Sequence, residues 1–169
     1  GLLRALAQHG GALPETVFAF LHHPEAVRAA ARAGEGGRFA RELGARVTDA
    51  FGPPVPFAGV VERLTHGRFL NTGPMEHGAP VDLGPTALVR QGPLRVVLTS
   101  RKEAAVAPEF FALHGIALDG MRLLANKAKN HFRAAFADRC AAIIEADCPG
   151  PASLDLAALP FRHVPAGWR

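Results

Sequence analysis

The chain has 169 residues, of which 49% are hydrophobic and 20% charged, with a formal net charge of +4 and a pI of about 9.8. That is the size of one domain with a sizeable core, and no apolar run approaches the roughly 18 residues that a membrane helix requires. The basic residues are mostly arginines, scattered without like-charge runs and not interleaved with aromatics, so a nucleic-acid partner is not expected.

Leu2, Leu3, Leu6 and Ala7 form a helical stripe that ends at His9-Gly10-Gly11. Val17 to Leu21 is a short apolar run and reads as a buried strand. A helix is expected from Pro24, with Glu25 at its positive end, to Ala33, stopping at Gly34. His22 and His23 invite a metal reading, but consecutive strand side chains diverge, and a strand-end turn accounts for them. Gly34-Glu35-Gly36-Gly37 follows a helix and has Phe39 where a dinucleotide fingerprint needs its last glycine, so it reads as a helix-to-strand turn.

Arg38 to Leu43 is a strand candidate, Arg46 to Pro54 a loop, and Val55 to Leu64 the longest strand. Thr65 to Arg68 turns the chain, so Phe69-Leu70 is expected to pair back. Asn71 to Gly84 reads as a long irregular segment holding Asn71, Glu76, His77 and Asp82; structureless loops of that length are uncommon and often functional. Neither Glu62 with His66 nor Glu76 with His77 has reliable metal-ligand spacing. Thr86 to Arg90 and Leu94 to Thr99 form a hairpin across Gln91-Gly92-Pro93. The second strand ends in Thr99, Ser100, Arg101 and Lys102, hydroxyls and cations that suit a carboxylate or phosphate, or else a solvated strand end.

Pro108 to Leu113 is a short helix closed by His114-Gly115. Met121 to Ala125 then reads as a buried strand running into a helix capped by Asn126 and ending near Arg139. On that helix Lys127, Asn130 and His131 share one face, with Phe132 and Phe136 on a neighbouring face against the sheet. The polar trio is an anion-favouring cluster if the helix starts at the carboxyl end of a sheet, and a solvated helix face if it does not. Ala141 to Ala146 reads as a last buried strand, Ser153 caps a turn to Leu159, and the tail from Pro160 is irregular. Cys140 and Cys148 are too few for a disulfide scaffold and are expected as reduced, partly buried thiols. These elements predict one compact α/β domain, with α+β as the open alternative, built on a mixed β-sheet flanked by helices.

The ordered motifs GRFLNTGPMEHGAPVDLGPTALVR, VVLTSRK, PEFFALHGI, KAKNHFRAAF, EADCPG and LPFR resemble the C-terminal domain of the microcystinase C (MlrC) family of metallopeptidases. The resemblance runs from about Leu2 to Arg162. Lys127, His131, Phe132 and Arg133 match the family's K-S-x-x-H-F-R-A, with Ala128 in place of its serine. Thr99, Ser100 and Arg101 match T-S-R, Gly73, Pro74 and Met75 match G-P-M, and Gly84 and Thr86 match G-x-T.

The resemblance implies that residues 1–169 are part of a longer protein whose N-terminal domain carries zinc ligands; the start at Gly1, with no signal-peptide pattern, agrees with a cut chain. It implies a zinc-dependent metallopeptidase or amide hydrolase in which this domain shapes the substrate cleft. The alternative is a non-catalytic small-molecule-binding or subunit-interface domain. His131 and Lys127 are then the candidate catalytic residues, and Thr99, Ser100, Arg101, Asn130 and Arg133 the substrate-binding ones. No metal ligand is assigned within the chain. The partners implied are a small peptide or amide substrate and the protein's own N-terminal domain. A homo-oligomer is compatible, a membrane is not expected, and the location implied is the cytoplasm.

Overall fold

The computed structural model describes residues 1–12, 14–45, 52–128, 130–148 and 162–163. The elements, in chain order, are α1 (Leu2–Gln8), β1 (Thr16–His22), α2 (Pro24–Ala33), β2 (Arg38–Leu43), β3 (Val55–Thr65), β4 (Arg68–Leu70), β5 (Pro80–Asp82), β6 (Thr86–Gln91), β7 (Leu94–Thr99), α3 (Glu109–Ala112), β8 (Leu123–Asn126) and α4 (Arg133–Phe136). Six strands form one mixed sheet in the order β2-β3-β6-β7-β1-β8. The β2/β3, β3/β6 and β6/β7 pairs are antiparallel, while β1 runs parallel to both β7 and β8. The fold is the expected mixed α/β domain.

The period-two alternation along the central strands sorts their side chains onto two faces. Leu94, Val96 and Leu98 of β7 join Phe18, Phe39, Phe57 and Val89 in one core, covered by Leu3 and Leu6 of α1 and by Ala26, Val27 and Ala30 of α2. Val97 joins Val17, Phe20 and Leu88 in a second core beneath Phe110 and Phe111 of α3 and Phe136 of α4. The aromatic rings interlock there: Phe111 meets Phe136 edge-on at 5.9 Å, and Phe69 meets Phe110 at 4.8 Å.

Several expectations are corrected. Arg68–Leu70 does not pair back on β3. It forms a separate two-stranded ribbon with Pro80–Asp82, inside what reads as an irregular segment. Gly67, at φ 71°, lies so close to the Gly84 backbone that a side chain there would collide with it, and this lets the ribbon turn tightly off β3.

The helix expected after Asn126 is broken. Lys127 lies just past β8 in no helix, its backbone N–H donating to Ala19 O at 2.7 Å, and the first described helical turn is Asn130–Phe132. They run as a 3-10 turn, the four-residue α4 and a second 3-10 turn, lengths that carry little cooperative helix stability. Among the described residues Asn126 makes no capping bond; its Nδ2 donates to Ala105 O at 2.8 Å.

Ala141 to Ala146 is not a strand. These residues are mostly exposed, Ile144 at 84%; a short apolar run is compatible with a strand but does not by itself specify one. Cys140 is exposed and Cys148 half-buried, both free. Most of the loop expected from Arg46, the turn capped by Ser153 and most of the tail lie outside the described residues.

Candidate functional site

The parallel arrangement brings the carboxyl ends of β7, β1 and β8 to one end of the sheet. Thr99 is registered with His22, and Asn126 with Ala19. Open α/β sheets bind ligands at such an end. The sequence-predicted site residues follow two of these strands, Thr99, Ser100 and Arg101 at the end of β7 and Lys127, Asn130, His131 and Arg133 after β8.

The first group is Thr99, Ser100 and Arg101. Thr99 is fully buried and its hydroxyl donates to Arg101 O at 2.8 Å; the Ser100 hydroxyl donates to Pro85 O at 2.6 Å. Both hydroxyl protons therefore go to backbone, and they fix the path of the chain around Arg101. The Arg101 backbone N–H donates to Leu83 O at 2.9 Å, tying the end of β7 to the end of the ribbon. The Arg101 side chain is exposed, and its Nη1 lies 2.7 Å from Asp82 Oδ2. Gly84, at φ 64°, packs against Ser100 and Arg101, where a Cβ would stand 3.1 Å from Ser100 Cβ.

Asp82 is the centre of this corner. Its Oδ1 accepts the Gly84 N–H at 2.8 Å, and its Oδ2 receives both Arg101 and Arg68, whose Nε stands 3.3 Å away. The Gly84 hydrogen bond, then the Arg101 and Arg68 charges, hold its carboxyl below the usual aspartate range. Arg68 is a residue that sequence reasoning missed. It faces Asp82 only because the β4–β5 ribbon exists, and strands of three residues leave no periodic signal to find it by.

The neighbouring loop is organised by Asn71, which is fully buried. Its backbone N–H donates to Ala79 O and its carbonyl accepts from Gly78 N–H; its Nδ2 donates to Met75 O at 2.7 Å and its Oδ1 accepts from Gly73 N–H at 2.9 Å. Thr72 hydrogen-bonds Glu109, which fastens the Gly73-Pro74-Met75 turn to α3.

The second group is Lys127, Asn130, His131 and Arg133. Lys127, Asn130 and His131 are exposed, and because Lys127 precedes the first helical turn they do not form the expected common helix face. Arg133 is half-buried, pairs with Glu145 at 2.5 Å and lies 5.5 Å over the Phe132 ring. Among the described residues no side-chain hydrogen bond or ion pair joins this group to Thr99, Ser100 or Arg101.

His114 is buried deep beneath this end. Its Nδ1 faces Phe110 O at 3.0 Å, and a carbonyl only accepts, so Nδ1 carries the proton. Burial lowers its pKa to about 4, so the ring is neutral at pH 7 and Nε2 accepts from the Thr86 hydroxyl at 2.9 Å. The Thr65 hydroxyl then donates to Thr86 at 2.6 Å, and Thr65 in turn accepts the Gly67 N–H.

A zinc site needs about three or four converging nitrogen, sulfur or carboxylate ligands. Among the described residues no group of three His, Cys, Asp or Glu is placed to hold a metal. Glu62 is taken up by Arg90 and Arg95, and both His114 nitrogens are bonded within the core. These residues do not fit a zinc centre. No helix among the described residues is long and apolar enough to cross a membrane.

The crystal structure of a "putative metallopeptidase" from Mesorhizobium sp. BNC1 is similar to this chain, with a TM-score of 0.72 and 28% sequence identity. The match covers 81% of this chain and 27% of that one, so this chain spans about a quarter of the length of its structural relative. No curated protein matches the chain. The family model described as MlrC C-terminus matches residues 1–163, nearly the whole sequence, and the chain belongs to that family.

Proposed function

We propose that this chain is the C-terminal part of a metallopeptidase-like amide hydrolase, in which it forms one wall of the substrate cleft. The observation that carries the reading is the family match over residues 1–163. The similarity to a solved protein named as a metallopeptidase supports it. In this reading the metal, zinc, is held by residues outside the chain, and a small peptide or amide lies across the carboxyl ends of β7, β1 and β8.

Arg101 and Lys127 hold a substrate carboxylate, one presented by β7 and the other by β8. Thr99 and Ser100 act through the backbone, keeping Arg101 in place. His131 orients the substrate or donates to the oxygen on which negative charge develops, while Asn130 and Arg133 line the approach. A hydrolysis assay on the full-length protein tests these roles. His131→Ala and Lys127→Ala should each lower kcat/KM by about 10²-fold, the size of losing one well-placed charge-stabilising donor. Unchanged kinetics in both variants remove these residues from the mechanism.

A second reading, a non-catalytic small-molecule or subunit-interface domain, rests on the exposure of Lys127, Asn130 and His131, which stand clear of the core. Under it, the two substitutions leave hydrolysis by the full-length protein unchanged but weaken binding of short peptides to the isolated chain.

A further inference from the structure

Two arginines share one oxygen at the corner between the ribbon and β7. Asp82 Oδ1 is occupied by the Gly84 N–H, so both guanidinium groups converge on Oδ2, Arg101 at 2.7 Å and Arg68 at 3.3 Å. One negative charge is set against two positive ones, which leaves a net positive corner. The side chains are nonetheless open to solvent, 61% exposed for Arg101 and 75% for Arg68. Each guanidinium has five N–H donors in a rigid plane, and Asp82 engages only one edge of each.

The backbone holds both arms from behind. Arg68 is fixed opposite Asp82 by the β4–β5 register, and Arg101 by its N–H to Leu83 O and by the Thr99 and Ser100 hydroxyls. An exposed ion pair alone contributes little to stability. A carboxylate that holds two cations at fixed positions has a different consequence, because it removes much of the side-chain entropy that ligand binding would otherwise cost.

We infer that Arg68 and Arg101 form a two-armed clamp for a substrate carboxylate, and that Asp82 is the positioning residue that sets the arms. This deepens the reading of Arg101 given above and rests on it. Arg68 becomes the second guanidinium arm at the β7 corner, with Lys127 approaching the same carboxylate from β8, and the ligand class becomes a peptide carrying a free carboxylate at its C-terminus or on a side chain. Bidentate guanidinium–carboxylate pairing is the recognition chemistry.

The test is peptide binding to the 169-residue chain, a readout independent of hydrolysis and of any metal. The probes are N-acetyl-Ala-Ala, N-acetyl-Ala-Asp amide and N-acetyl-Ala-Ala amide, titrated by calorimetry or by NMR shift changes. At least one of the two anionic peptides should bind about tenfold or more tightly than the neutral amide, and the better of them identifies which carboxylate the clamp takes. Arg68→Ala and Arg101→Ala should each remove most of that preference, and Arg68→Lys should restore only part of it, since it returns the charge without the fork. Asp82→Asn should also weaken the preference. Tighter anion binding in Asp82→Asn would show that Asp82 merely competes, and would overturn the positioning role. Equal binding of all three peptides, or a preference that survives Arg68→Ala, overturns the clamp. Either result leaves the His131 and Lys127 assay on the full-length protein as an independent test of the cleft-wall reading.

Discussion

The ends of β7 and β8 lie on the same side of one sheet, one strand apart, yet they are built differently. The chain leaves β7 through residues that are tied down at several points: the Thr99 and Ser100 hydroxyls to backbone carbonyls, the Arg101 N–H to Leu83, and one edge of the Arg101 guanidinium to Asp82. It leaves β8 through Lys127 with one backbone hydrogen bond to Ala19, then passes through short helical turns to the exposed stretch around Ile144. The difference separates two kinds of candidate site residue. At β7 the geometry is set before any ligand arrives; at β8 it is set by a few local contacts and by whatever packs against them. Local opening should therefore be easier at β8 than at β7.

The largest expected effect lies in the core beneath both ends. Phe111 is fully buried among Phe20 and Phe136, and Phe111→Ala should cost about 3–5 kcal/mol in a urea or guanidinium unfolding experiment. If the loss instead falls below ~1 kcal/mol, α3 is not a true part of the core, and the contrast between the two ends loses its common base.

A second effect depends on pH. The folded pKa of His114, about 4, lies below the ordinary 6.5, so the unfolded chain takes up the proton first as pH falls. The stabilisation is complete above pH 6.5 and is lost as the pH drops toward 4, up to about 3 kcal/mol at 1.36 kcal/mol per pK unit. Denaturation midpoints at pH 7 and pH 4.5 measure this. The gap in stability between the native chain and His114→Gln should narrow at the lower pH, and a gap that widens would contradict the buried neutral ring.

Asn71→Ala should cost about 1–3 kcal/mol by leaving the Gly73 N–H and the Met75 carbonyl without their partner. The same change should speed amide exchange through residues 71–79 while leaving β8 unaffected. The smallest effects belong to the β8 side. Ile144→Ser and Arg133→Ala should each stay within about 0.5 kcal/mol, since one side chain is exposed and the other is in a surface ion pair. A loss above ~1.5 kcal/mol for either would show that the stretch after β8 is held as firmly as the end of β7.

The same contrast explains what the sequence can disclose. The β1, α2, β3, β6 and β7 elements are legible because each carries a strong periodic or terminal signal: Pro24 and Gly34 around α2, or the Gln91-Gly92-Pro93 turn between β6 and β7. The β4–β5 ribbon is not, because three-residue strands show no alternation and their pairing depends on Gly67 and on the docking against Arg101. The continuous helix expected after Asn126 fails for a physical reason. Its spacing suits a helix, but Lys127 gains a backbone hydrogen bond by continuing the sheet, and the Asn126 side chain finds Ala105 instead of a helix terminus. Arg101 stands out from its motif, whereas Arg68 emerges only in three dimensions.

The hydroxyl row from Thr65 through Thr86 to His114 has one further consequence. Because Phe110 O can only accept, every proton in the row points the same way, and the imidazole is held in a single tautomer. Its Nδ1–H is shut away from water, so it should exchange slowly and give a discrete downfield proton resonance. That resonance would act as an internal gauge of core integrity, persisting while the two faces stay closed and vanishing when solvent first reaches the ring.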